Sequence, residues 1–189
     1  MSTDRAAGPD LARFRPYLRV LARASLHPRL RGKLDPSDVV QEAMVHALRA
    51  VGQFRGTTDA ELAAWLRQIL VRVLAGTARR FDRDKRDADR EQSLAAAVED
   101  TSARLEACLA ADTSTPSERA ERNENLVRLA AVIDRLPDAQ REALTLYHLR
   151  GLGLDEVAAR MGRTPDAVAG LIKRAVYQLR QDLAPDGPG

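Results

Sequence analysis

Apolar residues in this chain recur at intervals of three and four, and no segment sustains the strict alternation of a half-buried strand. The pattern therefore predicts helices throughout. Residues 11–24 carry Leu11, Phe14, Leu18, Leu21 and Ala22 near a 3.6-residue period, and His27-Pro28 ends that run. Asp35-Pro36-Ser37-Asp38 opens the next helix, with Asp35 as N-cap and Pro36 at the first helical position. It reaches about Val51 with Val40, Met44, Ala47, Leu48 and Val51 on one face. Phe54–Asp59 reads as a loop in which Thr58 or Asp59 caps the helix beyond it. That longer helix, about 60–84, is expected to bury Leu62, Trp65, Leu66, Ile69, Val73 and Leu74.

The pattern then weakens. Residues 89–124 hold Ala runs, acidic residues and the polar cluster Asp112-Thr113-Ser114-Thr115-Pro116-Ser117. A short helix around 92–109 and a flexible connector are expected there, since a segment so acidic and poor in apolar residues need not pack. Helical periodicity returns at 125–135 and 137–149 and continues to about residue 183. The expected organisation is all-α: a disordered 1–10, a helical domain over 11–88, a linker over 89–124, a second helical domain over 125–184 and a Pro/Gly tail over 185–189.

Charge sharpens this division. Residues 1–88 hold 17 Lys/Arg against 10 Asp/Glu, residues 89–124 hold 4 against 9, and residues 125–189 hold 9 against 8. The basic first block fits a polyanionic partner or an Arg-rich solvated surface. One cysteine, Cys108, excludes an internal disulfide and fits a reducing cytoplasm. His27, His46 and His148 share no ligand spacing with Cys108, so no metal is expected, and no cofactor motif is present. The start of the chain lacks the apolar core of a signal peptide, and no apolar run suits membrane insertion. No phosphate loop or plausible triad points to an enzyme.

Specific chemistry is concentrated in the last block. Leu154-Asp-Glu-Val-Ala-Ala-Arg-Met161 forms a first helix, Gly162 supplies the positive φ of the turn, and Thr164, Pro165 and Asp166 cap, start and complement a second. Val157, Ala158 and Met161 then face Val168, Leu171 and Ile172. This is the spacing of a helix-turn-helix whose second helix enters the DNA major groove. Arg163 departs from the apolar residue usual in such turns, and its aliphatic stem is expected to cover the same surface. The polar face of the second helix offers Thr164, Pro165, Asp166, Ala169, Gly170, Lys173 and Arg174 to DNA. Lys173 and Arg174 suit phosphates or base edges.

Three segments now resemble a known family. Asp35-Pro-Ser-Asp-Val-Val-Gln-Glu-Ala-Met44 resembles the part of sigma region 2 that docks on RNA polymerase. Phe54-Arg-Gly followed by Ala64-Trp-Leu-Arg-Gln-Ile-Leu70 resembles its promoter-melting part. Arg135-Leu-Pro-Asp-Ala-Gln-Arg-Glu-Ala-Leu144 with the helix-turn-helix resembles sigma region 4. The chain is similar to the extracytoplasmic-function (ECF) group of the sigma-70 superfamily. The resemblance implies two domains of region 2 and region 4 type, core RNA polymerase and promoter DNA as partners, and an anti-sigma protein as a frequent further partner in the family. It implies that Asp38, Gln41 and Glu42, which share one helix face, contact polymerase. It implies that Phe54, Arg55, Gly56, Thr57, Thr58 and Asp59 hold a flipped base of the melted strand, with Arg67, Arg72, Arg79 and Arg80 tracking phosphates. Phe54 fits either an aromatic platform or a buried cap, and Trp65 fits core.

Two other readings share parts of this pattern. A helix-turn-helix regulator with an unrelated helical N-terminal domain explains the last block alone. A polymerase-binding adaptor without DNA contact explains the acidic helix face alone.

Overall fold

In the computed structural model the described residues are 9–26, 34–81, 87–108 and 116–184. Among them are eight α-helices and no strand. The expectations for residues 1–8, His27-Pro28, the 82–84 end of the long helix, most of the Thr/Ser/Pro cluster and the 185–189 tail lie outside the described residues.

Helix α1 (Arg15–Ser25) follows a short 3-10 turn at Ala12–Phe14. Its buried face is wider than the predicted stripe, taking in Tyr17, Val20 and Ala24 as well as Leu18, Leu21 and Ala22. The reason is its position: α2 (Pro36–Ala50), α3 (Asp59–Phe81), α4 (Asp87–Ala107) and α5 (Pro116–Arg135) all pack against it. Asp35 caps α2 by accepting from the Ser37 N–H at 2.8 Å. Val39, Val40, Ala43 and Ala47 are its buried residues. Leu48, predicted on the apolar stripe, is instead 62% exposed, because the buried face centres on the 40/43/47 side of the helix. Along α3, Leu62, Leu66, Ile69, Val73 and Leu74 are buried as predicted, and Trp65 is half-buried.

The acidic middle segment differs from expectation. α4 spans Asp87–Ala107 and packs along α3 and α1, with Val98 and Leu105 fully buried. Its buried face is completed by Thr101 and Ser102, small hydroxyl residues that satisfy their polarity locally. Thr101 Oγ1 donates to the Ala97 carbonyl at 2.7 Å, and Ser102 Oγ meets the Tyr17 hydroxyl at 2.9 Å.

α5 leads through Leu136-Pro137 into α6 (Asp138–Leu144), which widens into a π turn at Thr145–Leu149. α7 (Leu154–Met161) and α8 (Pro165–Leu183) complete the chain. Ala143, Leu146, Val157, Ala158, Val168 and Leu171 form a small core of their own. A larger core is continuous from Leu18 and Leu21 in α1, through Leu66 and Leu70 in α3 and Val98 and Leu105 in α4, to Leu129 and Ile133 in α5.

Candidate nucleic-acid interface

The α7–α8 pair is built on its caps. Glu156 Oε2 accepts from the Gly153 N–H at 3.0 Å at the start of α7. Gly162 ends α7 in the left-handed region at φ 61°, where an L side chain would be strained. The chain then closes back through Arg163 N–H to the Ala158 carbonyl at 3.0 Å. Thr164 Oγ1 accepts from the Ala167 N–H at 3.3 Å, and Pro165 begins α8. Ala158, buried, lets the two helices cross closely, as its small size predicts. Arg163 is exposed, and the core beneath the turn is formed by Val157, Ala158 and Val168.

Val168, Leu171 and Ala175 turn inward, which leaves Thr164, Pro165, Asp166, Ala169, Lys173 and Arg174 exposed and Gly170 half-exposed. Six of the seven predicted upstream-element residues therefore lie on α8 away from its buried side chains, and Thr164 stands at its cap. The Arg174 guanidinium folds back over Gly170, where an added Cβ would meet its Nη1 at 3.4 Å. Beyond the predicted set, Tyr177 is 66% exposed on the same helix, with Arg180 also exposed. Its spacing from Lys173 and Arg174, four and three residues, was the available signal.

The loop at 54–59 is organised by one carboxylate. Glu61 Oε2 accepts from the Thr57 N–H at 2.9 Å, the Thr58 N–H at 3.0 Å and the Thr58 hydroxyl at 3.0 Å. Thr58 Oγ1 accepts in return from the Glu61 N–H at 3.2 Å, so Thr58 is the cap of α3. The backbone N–H groups of Thr57 and then Thr58 hold the Glu61 carboxyl below the usual glutamate range. Asp59 pairs with Arg13. The Phe54 ring lies 5.3 Å from that of Trp65, centroid to centroid, and is half-buried. Gly56 is required by that packing: a Cβ there would sit 2.3 Å from Phe54 Cζ. Arg55 donates to the Gly52 carbonyl at 2.7 Å, leaving Arg55, Thr57 and Thr58 as the exposed side chains at the tip.

The arginines of α3 divide. Arg72 and Arg79 are exposed. Arg80 is exposed and reaches Glu42 at 3.2 Å. Arg67 departs from the phosphate-tracking expectation, because it points into the structure. It donates to the Tyr17 hydroxyl at 3.0 Å and pairs with Glu99 of α4 at 2.8 Å. Burial pushes the Tyr17 phenol up, against the opposing pull of Arg67. That network, continued by Ser102 to Glu106 at 3.0 Å, fastens α4 to α1 and α3.

On α2, Asp38 and Gln41 are exposed and Glu42 is half-exposed between Arg80 and His46. Val45, 41% exposed, and Leu48 lie on the same outer face. The result is a strip both acidic and apolar, of which residue spacing reveals only the acidic part. Among the described residues no group of side chains could hold a metal ion, and no helix is long and apolar enough to cross a membrane.

A helix-turn-helix block joined to a helical block with a capped loop and exposed arginines on α3 defines a helical protein of the DNA-binding class. Comparison with known proteins resolves the class further. The Sigma-70 region 2 family matches residues 11–83, and the Sigma-70, region 4 family matches residues 126–179. The chain is 30% identical to the ECF RNA polymerase sigma-E factor of Escherichia coli strain K12, over 85% of this chain and 78% of that protein. It is 29% identical to the RNA polymerase sigma-H factor of Pseudomonas aeruginosa, over 79% of this chain and 71% of that protein. The chain belongs to the sigma-70 family, in its ECF group.

Proposed function

We propose that this chain binds core RNA polymerase and directs it to promoters, where it recognises an upstream element, assists DNA melting and starts transcription. The observation that carries the reading is the presence, in order on one chain, of both matched regions, each presenting an exposed face suited to its role. In this reading the outer face of α2, with Asp38, Gln41 and Glu42 beside Val45 and Leu48, docks on a basic surface of polymerase. Exposed apolar side chains flanked by carboxylates suit a partner that offers both aliphatic stems and positive charge. The tip of the Phe54–Asp59 loop receives a base extruded from the melted strand. Phe54 supports the loop from beneath, in contact with Trp65. Arg72 and Arg79 are free to meet phosphates, Arg80 does so on leaving Glu42, and Arg67 positions helices. Thr164 to Arg174 of α8 lie in the major groove of the upstream element.

Such a role requires no catalysis by this chain, since nucleotide transfer belongs to polymerase, and it places the protein with polymerase in the cytoplasm. An anti-sigma protein is a further partner typical of the group. A helix-turn-helix regulator of another kind would leave the match over 11–83 without a role.

The docking face tests the reading. Asp38→Lys and Leu48→Ala each change an exposed side chain, so thermal unfolding should stay near wild type. Each is expected to weaken binding to purified core polymerase about tenfold, or about 1.4 kcal/mol. Unchanged affinity in both variants would remove α2 from the contact, and failure of the wild-type chain to bind core would overturn the function.

A further inference from the structure

The two regions matched to separate family segments do not sit apart. α1 lies along α5, and Leu18 and Leu21 share a core with Leu129, Ala130 and Ile133. At the edge of that contact Arg19 Nη1 stands 2.8 Å from Asp134 Oδ2, and Arg23 Nη1 stands 3.4 Å from Asp134 Oδ1. Arg19 and Arg23 are four residues apart, so one face of α1 presents both guanidiniums to a single carboxylate. Asp134 is 10% exposed, and Arg141 fixes its backbone by donating to the Asp134 carbonyl at 2.9 Å and the Leu136 carbonyl at 2.8 Å. A further tie runs from Arg128 to the Asp182 carbonyl at 3.2 Å, inside the second block. That block is therefore braced internally and clasped externally at Asp134.

We infer that Arg19, Arg23 and Asp134 form an interdomain latch that holds the free chain closed and competes with its engagement at a promoter. The inference rests on the function proposed above. A compact chain of this length has a radius of gyration of about 16 Å, hence a diameter of about 40 Å. At about 3.4 Å per base pair, the closed form can present its two DNA faces only to elements within about 12 base pairs of each other. Elements farther apart are reached only after α1 and α5 separate. The ion pair suits a contact that must both hold and release. An apolar contact alone has little directional preference, whereas two guanidiniums on one carboxylate fix a register. The same charges regain their hydration on opening, so the closed form is less committed than an all-apolar seam would be. Polymerase binding then carries a penalty set by the open fraction.

The test uses the full chain, with small-angle scattering of the free protein and titration of core polymerase. Asp134→Lys adds a third positive charge beside Arg19 and Arg23. It should raise the radius of gyration by at least about 5 Å over the compact value. It should also tighten core binding about threefold to tenfold, as the closed fraction disappears. The exchanged variant Arg19→Glu, Arg23→Glu, Asp134→Lys restores opposite charges and should return both quantities to wild type. Should Asp134→Lys lose helicity, Asp134→Asn replaces it with the same readings expected in reduced size. An unchanged radius in a folded variant, an open variant that binds core no tighter, or an exchanged variant that stays open would each overturn the latch. If wild type itself does not bind core, the proposed function fails, while the scattering still decides whether the pair closes the chain.

Discussion

Glu61 is the residue on which the 54–59 loop depends. Its carboxylate accepts from the Thr57 and Thr58 backbone N–H groups and the Thr58 hydroxyl, and those bonds favour the charged form. Its proton affinity is therefore lower in the folded chain than in the unfolded one. Linkage sets the sign: the contribution is fully present above the ordinary glutamate range and is lost as pH falls through the folded value. Thermal unfolding of wild type should thus lose stability as pH drops below about 4.5, the ordinary glutamate value. Glu61→Gln should start slightly lower at neutral pH and show a shallower fall over the same range. Parallel pH profiles for the two proteins would remove the charged cap from the account. The cap was partly legible in the sequence, since Thr58 precedes the helix and Glu61 stands three residues on. The dependence on Gly56 was not, because it arises from the Phe54 ring folding under the loop, a contact no local pattern encodes.

At the scale of elements, helix positions followed from period and caps. α2 and α8 begin where Asp35 and Thr164 predict, α3 is capped by Thr58, one of the two caps the sequence offers, and α7 ends at Gly162. Two elements were harder to read. α2 faces solvent with Leu48, because Val39 and Ala43 are buried and rotate the stripe. α4 hides its packing face, since its contact surface is Val98 and Leu105 with Thr101 and Ser102 between them. Hydropathy alone scores such a face as linker, although small residues pack closely and their hydroxyls find partners in Ala97 and Tyr17. If α4 is part of the fold, Leu105→Ala should destabilise the chain by about 2–5 kcal/mol in denaturant unfolding, as for other fully buried leucines. A change below about 0.5 kcal/mol, the range of ordinary surface substitutions, would return this segment to the status of a connector.

For the molecule as a whole, the order of elements and the position of the second motif helix were legible from one sequence, and the residues proposed to meet DNA are exposed or half-exposed on α8 or at its cap. The closed arrangement was not, since it depends on Arg19, Arg23 and Asp134 meeting across more than a hundred residues of chain. The central claim is that this chain confers promoter-specific initiation on polymerase. Run-off transcription with purified core polymerase, on a promoter library with a randomised upstream element, tests it most directly. The expected result is discrete transcripts only when the chain is added. With Lys173→Ala the yield should fall, the preferred sequences should stay the same, and the log–log salt dependence of promoter binding should lose about 0.9 of slope, one phosphate contact. The contradicting result is no chain-dependent transcript from any promoter in the library, with the purified chain still binding specific DNA in the absence of polymerase.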